Sequence, residues 1–113
     1  MRKRYEIICT AFDRKARVIC TATNEYNRSH PLQKYFSEKA GESQYKCWKH
    51  AEISAIIKAK QTKIDSLLVQ RFDNRGNPAM AKPCKACQAA IKAFGIRLVR
   101  YTTQEGIKQY EVL

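Results

Sequence analysis

The sequence has 113 residues, and 22 Lys and Arg against 10 Asp and Glu give it a formal net charge of +12. Its length fits one domain, and 44% hydrophobic residues with only 4 Gly and 3 Pro exclude a disordered or low-complexity chain. No apolar run approaches the roughly 20 residues of a membrane span. The charge leaves open a nucleic-acid partner, a small anionic substrate or simply a soluble surface.

The first half of the chain predicts a hairpin followed by a polar segment. Residues 5–12 and 17–23 alternate apolar and polar side chains, and the polar residues 13–16 between them indicate a turn. Residues 24–49 are polar and irregular, although Pro31 favours the start of a short helix. A long irregular segment inside a small domain is often functional.

The second half predicts two helices and three strands. The helices cover residues 50–61 and a segment that Pro83 begins and Gly95 ends. Strands are expected over 64–72, 97–102 and 107–113, with a turn at 73–78. The order β-β-α-β-α-β-β implies a three-layer α/β fold in which one sheet carries the helices, and we expect residues 1–113 to form a single domain. The last two strands are too close in sequence for a crossover helix, so they should be antiparallel.

Two short motifs at the predicted helix starts carry the chemistry. Cys84 and Cys87 are three positions apart, which places both thiolates on one face of a first helical turn. His50 can supply a third ligand, and a zinc ion with three protein ligands keeps one position open for water. Glu52 is then the nearby carboxylate that moves protons. Residues two apart on a helix point to opposite sides, so this helix must begin close to His50.

Cys47 offers a different interpretation of the same residues. Cys47 and His50 are also three apart, and together with Cys84 and Cys87 they can form a closed, structural site with four ligands. That alternative predicts a non-enzymatic, basic, zinc-stapled module that binds nucleic acid. It leaves Glu52 without a role, and on its own Glu52 is an ordinary solvated carboxylate at a helix start.

His-x-Glu followed by Pro-Cys-x-x-Cys resembles the zinc-dependent cytidine and deoxycytidylate deaminase superfamily. The resemblance implies a three-layer cytidine-deaminase-like fold with a central mixed five-stranded sheet. It implies one zinc ion per chain, bound by His50, Cys84 and Cys87, with Glu52 as the general acid and base. It also implies that the substrate contacts Asn24 and the backbone near Ala51, Pro83 and Cys84. Residues 24–31 further resemble small phage-type cytidylate deaminases.

The function that this resemblance implies is hydrolytic deamination of a cytosine nucleotide or nucleoside to its uracil form, with release of ammonia. The main alternative is the same reaction on cytosine or adenine in single-stranded DNA or RNA. We also expect a homo-oligomer. An odd set of five cysteines favours a reducing compartment, so we expect the protein in the cytoplasm, or in the host cytoplasm if it is phage-encoded. Lys49, Lys82 and Lys85 flank the predicted zinc ligands, which favours a phosphorylated substrate, either monomeric or polymeric, over a neutral nucleoside.

Overall fold

The computed structural model describes residues 6–24, 30–41, 50–60 and 62–112 of the chain. Three helices accompany a six-stranded sheet in this part of the molecule. In chain order the elements are β1 (Glu6–Phe12), β2 (Val18–Thr23), α1 (Pro31–Lys39), α2 (Ala51–Ala59), β3 (Ser66–Phe72), β4 (Pro78–Ala79), α3 (Lys85–Ala93), β5 (Leu98–Thr103) and β6 (Gly106–Glu111).

The sheet is mixed. Its strand order is β2-β1-β3-β5-β6, and β4 pairs with β3 beside this path. Strands β3 and β5 run parallel, whereas β1 pairs antiparallel with β2 and β3, and β5 pairs antiparallel with β6. The predicted α/β class, mixed sheet and antiparallel final pair are therefore confirmed. The five predicted strands form the continuous path, and the two-residue β4 is an addition that is too short to show an alternating pattern.

The predicted hairpin turn is built on Asp13. Its Oδ1 accepts hydrogen bonds from the backbone N–H groups of Lys15 and Arg17, both at 2.9 Å. Ala16 takes a positive φ of 61°, which closes the turn. An Asp side chain that bonds the backbone two residues ahead is a common way to stabilise a short turn. The two strands are thereby held in register next to β3.

Helix α1 confirms the expectation of a helix at Pro31. His30 is its N-cap, and its Nδ1 accepts a hydrogen bond from the backbone N–H of Leu32 at 3.0 Å. Pro31 stands at the first helical position, where its missing N–H costs nothing. The helix packs against α3, and the Phe36 and Phe94 rings lie 6.4 Å apart. This helix carries a buried polar side chain toward the functional site, as described below.

The core lies between the helices and one face of the sheet. Ala11, Leu67 and Val99 are register neighbours on β1, β3 and β5, and all three are fully buried. The same face carries Cys20, whose Sγ donates a hydrogen bond to the carbonyl oxygen of Ala55 in α2 at 3.4 Å. The side chains of the other sheet face alternate with these and are partly exposed: Thr10, Leu68 and Arg100. The site is built on the helix-covered face.

None of the three described helices has the length and apolar character that crossing a bilayer requires.

Candidate metal centre and cleft

His50 stands at the N-terminus of α2 because the chain turns there. Its φ of −76° and ψ of 157° are extended, and the helix begins at the next residue. The condition that His50 and Glu52 impose on the start of this helix is therefore met. The backbone N–H of His50 donates to Oε1 of Gln33 in α1 at 3.1 Å. Gln33 is fully buried and donates in turn to Ser37 Oγ at 3.1 Å, so α1 fixes the position of His50.

Cys84 occupies the corresponding position at the N-terminus of α3. It is the N-cap of that helix, and Cys87 follows in the first turn. Gln88 Nε2 donates to the carbonyl oxygen of Pro83 at 2.8 Å, which fixes the turn that leads into the helix. Within the described residues, neither His50 nor Cys84 uses its side chain to cap its own helix. Both side chains point instead toward a shared point between the two helix starts.

The distances at that point fit a tetrahedral metal ion. His50 Nδ1 lies 3.5 Å from Cys84 Sγ and 3.3 Å from Cys87 Sγ. The possible ligand atoms of the three residues all lie within 4.8 Å of one another. Two ligands at Zn–S and Zn–N bond lengths around a tetrahedral ion are separated by roughly 3.6 Å. One nitrogen and two sulfur ligands, at these spacings, match the preference of zinc.

The pKa values of the two thiols of the centre are shifted in opposite directions. Their mutual hydrogen bond is the main cause, because it lowers the pKa of Cys84 to about 4 and raises the pKa of Cys87 well above its ordinary value. Burial opposes the shift at Cys84 and adds to it at Cys87. Cys84 is thus a ready thiolate, and Cys87 loses its proton when a cation joins the pair.

Glu52 places a buried carboxyl group beside these ligands. It lies in the first turn of α2, is 5% exposed and hydrogen-bonds with the Cys87 side chain. Burial raises the pKa of Glu52 above its ordinary value, although the neighbouring His50 lowers it. A higher pKa makes the carboxylate a stronger base, which suits a group that accepts a proton and later returns it.

A cleft of about 260 Å³ opens above the centre. This volume is close to the lower end of the range for small-molecule pockets, roughly 300 Å³. His50, Glu52 and Cys84 lie on its wall together with apolar and basic side chains from the strands and from the segment before α3. The remaining lining residues are Ile7, Asn24, Val69, Arg71, Met80, Ala81 and Lys82.

The three predicted substrate contacts take different positions. Asn24 lines the cleft directly after β2, and its Oδ1 accepts a hydrogen bond from the backbone N–H of Ile7 at 3.1 Å. Ala51 is fully buried at the start of α2, next to two lining residues. Pro83 is buried between the lining residues Lys82 and Cys84. Their contacts with a substrate stay a prediction.

Sequence reasoning missed several residues around the centre. Gln33 had no distinguishing signal, because its partner is seventeen positions away in the chain. Arg71 is the penultimate residue of β3, a strand that the sequence predicts only as an apolar run, and its place in the cleft follows from the pairing of β3 with β1 and β4. Tyr110 reaches the same region from the final strand. Cys47 and Lys49 lie outside the described residues, so the four-ligand alternative stays a hypothesis.

The fold is α/β, and one His and two Cys at helix starts lie beside a buried Glu. This combination defines a class of protein: a metal-dependent hydrolase with an open ligand position. The family model for the "cytidine and deoxycytidylate deaminase zinc-binding region" matches residues 2–103. The chain therefore belongs to the cytidine and deoxycytidylate deaminase family, and it is a zinc-dependent, cytidine-type deaminase. The family resemblance of the sequence motifs is confirmed; the narrower phage-type likeness stays a prediction.

Solved structures support the fold. The crystal structure of cytidine deaminase from Mycobacterium leprae is similar with a TM-score of 0.53 and 17% sequence identity, over 94% of this chain and 75% of that one. At this identity the likeness concerns the fold. A comparison with curated protein sequences gives no match.

Proposed function

We propose that this deaminase converts the cytosine base of a nucleotide or nucleoside into uracil and releases ammonia. The observation that carries the proposal is the buried Glu52 carboxyl beside the His50, Cys84 and Cys87 group at the base of the cleft. Water is the second substrate: its oxygen becomes bonded to C4 of the base, and the C4–N bond to the amino group breaks. No oxidant or reductant is needed.

His50 Nδ1, Cys84 Sγ and Cys87 Sγ would hold the zinc ion. When bound, zinc supplies a Lewis acid that makes a water molecule nucleophilic near neutral pH. Glu52 takes a proton from the attacking water and delivers it to N3 of the ring. It then takes the second proton of that water from the new C4 hydroxyl and passes it to the departing amino nitrogen, so that the C4 carbonyl forms, ammonia leaves and the carboxylate is restored. The burial of Glu52 keeps bulk water from competing for these protons.

The cleft supports the predicted substrate contacts. Asn24 lies on its wall at the end of β2, where its amide group can reach the sugar. We propose that the base enters toward Glu52, between the backbone of Ala51 and that of Pro83, and that the sugar stays nearer the opening. Cytosine is proposed over adenine on the ground of family membership.

The test is a panel of possible substrates at equal concentration. We expect ammonia release and uracil formation from cytidine, deoxycytidine or their monophosphates, and loss of the activity after treatment with a zinc chelator. Adenosine and short single-stranded oligonucleotides complete the panel. Turnover of oligonucleotides alone, weakening steeply with salt, would replace our proposal with the nucleic-acid alternative.

The variant Glu52→Gln tests the proton-transfer role. Gln is nearly isosteric but cannot accept a proton, so we expect kcat to fall by about a thousandfold. Zinc content should stay at one ion per chain, because the substitution removes no ligand of the proposed centre. Metal analysis and ammonia release measured on the same sample separate these effects. Activity above a tenth of the wild-type value would contradict the assigned role.

Three broader expectations complete the proposal. We propose that residues 1–113 form one deaminase domain, which the match over residues 2–103 supports. We propose a homo-oligomer, to be measured by light scattering. A reducing compartment such as the cytoplasm is supported by the chemistry of thiolate ligands and by the four described cysteines, none of which forms a disulfide.

A further inference from the structure

The opening of the cleft is basic. Arg71 and Lys82 line it, and Glu52 at the base is the only acidic residue among the described residues of the lining. Lys82 precedes Cys84 by two positions, so its Cα lies at most about 7 Å from that of a proposed zinc ligand. Both positive charges therefore lie on the wall of the same cleft as Glu52.

The Lys82 backbone is held from both sides. On the N-terminal side, the Ala81 N–H donates to the carbonyl oxygen of Thr102 at 3.0 Å. Arg71 Nη1 donates to the Met80 carbonyl oxygen at 3.5 Å. On the C-terminal side, Gln88 holds the Pro83 carbonyl oxygen. A charge on a fixed backbone segment loses less entropy when it binds a ligand than a charge on a loose loop.

Tyr110 positions the Lys82 side chain. The Lys82 Nζ lies 5.7 Å from the centroid of the Tyr110 ring, within the range of a cation–π interaction. The Tyr110 hydroxyl is buried and has no hydrogen-bond partner among the described residues. Its ring also contacts Tyr101, with centroids 6.1 Å apart. The ring rather than the hydroxyl is thus the part of Tyr110 that acts on Lys82.

We propose that Lys82, positioned by the Tyr110 ring and assisted by Arg71, forms a phosphate subsite that makes a cytosine nucleoside monophosphate the preferred substrate. This inference rests on the proposed function, because the base must lie at Glu52 for the 5′ phosphate to reach the opening. The small cleft fits one nucleotide better than a strand. A lysine ammonium and an arginine guanidinium are both suited to a phosphate group.

The substitution Lys82→Met removes the charge and keeps an unbranched side chain. We expect kcat/KM for the monophosphate to fall about tenfold or more through KM, as for loss of one charge-assisted contact. The value for the nucleoside should stay within about twofold. Lys92→Met is the matched control, because Lys92 is an exposed lysine in the last turn of α3 and does not line the cleft.

The Tyr110 variants test the positioning role. Tyr110→Phe keeps the ring, so the preference for the monophosphate over the nucleoside should be unchanged. Tyr110→Leu removes the ring, and we expect this preference to fall by about threefold. Equal losses for both substrates in Tyr110→Leu would mean that the ring supports only the fold.

Calorimetric titration measures binding to the phosphate subsite separately from turnover. Cytidine, its monophosphate and a short single-stranded oligonucleotide are titrated into zinc-loaded Glu52→Gln and into the same protein carrying Lys82→Met. Tighter binding of the monophosphate that Lys82→Met abolishes supports the subsite, even if the wild type turns over none of these compounds. Equal affinity for nucleoside and monophosphate overturns it, even if turnover is fast. Preferred binding of the oligonucleotide that survives Lys82→Met overturns it as well.

Discussion

Two pairs of cysteines lie on the helix-covered side of the sheet, and their surroundings give them opposite properties. Cys84 and Cys87 stand in the first turn of α3 beside His50, and hydrogen bonding within the pair lowers the pKa of Cys84 to about 4. Cys9 and Cys20 lie on β1 and β2, and burial raises the pKa of both thiols. The residue type is the same in both pairs, so the neighbours decide between ligand and core residue.

Glu52 connects the two pairs. Its charge raises the pKa of Cys9 and that of Cys87, so the carboxyl lies within electrostatic reach of both. The pair on the strands has no histidine, however, and Cys20 Sγ donates to a helix carbonyl oxygen instead. A partly buried cysteine that donates its proton to the backbone packs as a small hydrophobic residue. A metal site needs thiolates, and the strand pair disfavours them.

The largest effect that this comparison predicts is on metal content. In Cys84→Ser the site loses a thiolate ligand, and we expect zinc affinity to fall by well over a hundredfold, since loss of a mere supporting contact costs 10–100-fold. Deaminase activity should be lost with the metal. Zinc content by elemental analysis and ammonia release measure both.

Cys20→Ser is the matched control for this experiment. A serine hydroxyl keeps a donor for the Ala55 carbonyl oxygen, so zinc content and activity should match those of the wild type. We expect a chelator to lower the melting temperatures of the wild type and of Cys20→Ser alike, whereas Cys84→Ser should not respond. Full zinc occupancy in Cys84→Ser would contradict the assignment of Cys84 as a metal ligand and of Cys20 as a core residue.

A smaller effect is expected on stability alone. Cys9 is fully buried in the core, and Cys9→Ala removes one heavy atom from a packed position. We expect the free energy of unfolding to fall by about 1 kcal/mol, with zinc content unchanged. Urea denaturation at saturating zinc measures this change. Loss of zinc in a folded Cys9→Ala protein would show that Cys9 belongs to the metal site.

The sequence predicts the cysteine ligands of the metal site better than the residues around them, because the cysteines are close in sequence and the surrounding residues are not. Cys84 and Cys87 are three positions apart on one helix, so local geometry alone brings their sulfur atoms together. The alternation of β1 likewise places Cys9 in the core. Gln33 reaches His50 only after α1 has packed against α3. Arg71 and Lys82 meet at the opening of the cleft only because β3 pairs with β4.

The smallest predicted effect is a dependence of stability on alkaline pH. Burial raises the pKa of Cys9 above its ordinary value of 9.0, so in this range the unfolded chain releases a proton that the folded chain keeps. The contribution of this thiol is fully present below about pH 9 and is lost as the pH rises further. At pH 9.5 the loss amounts to somewhat less than about 1 kcal/mol relative to pH 7.5. Cys9→Ala should lack this loss, while Cys20 and Tyr110, whose pKa values are also raised, titrate in both proteins. Urea denaturation of both proteins at the two pH values measures the difference, and parallel pH profiles would show that Cys9 ionises in the folded protein as readily as in the unfolded chain.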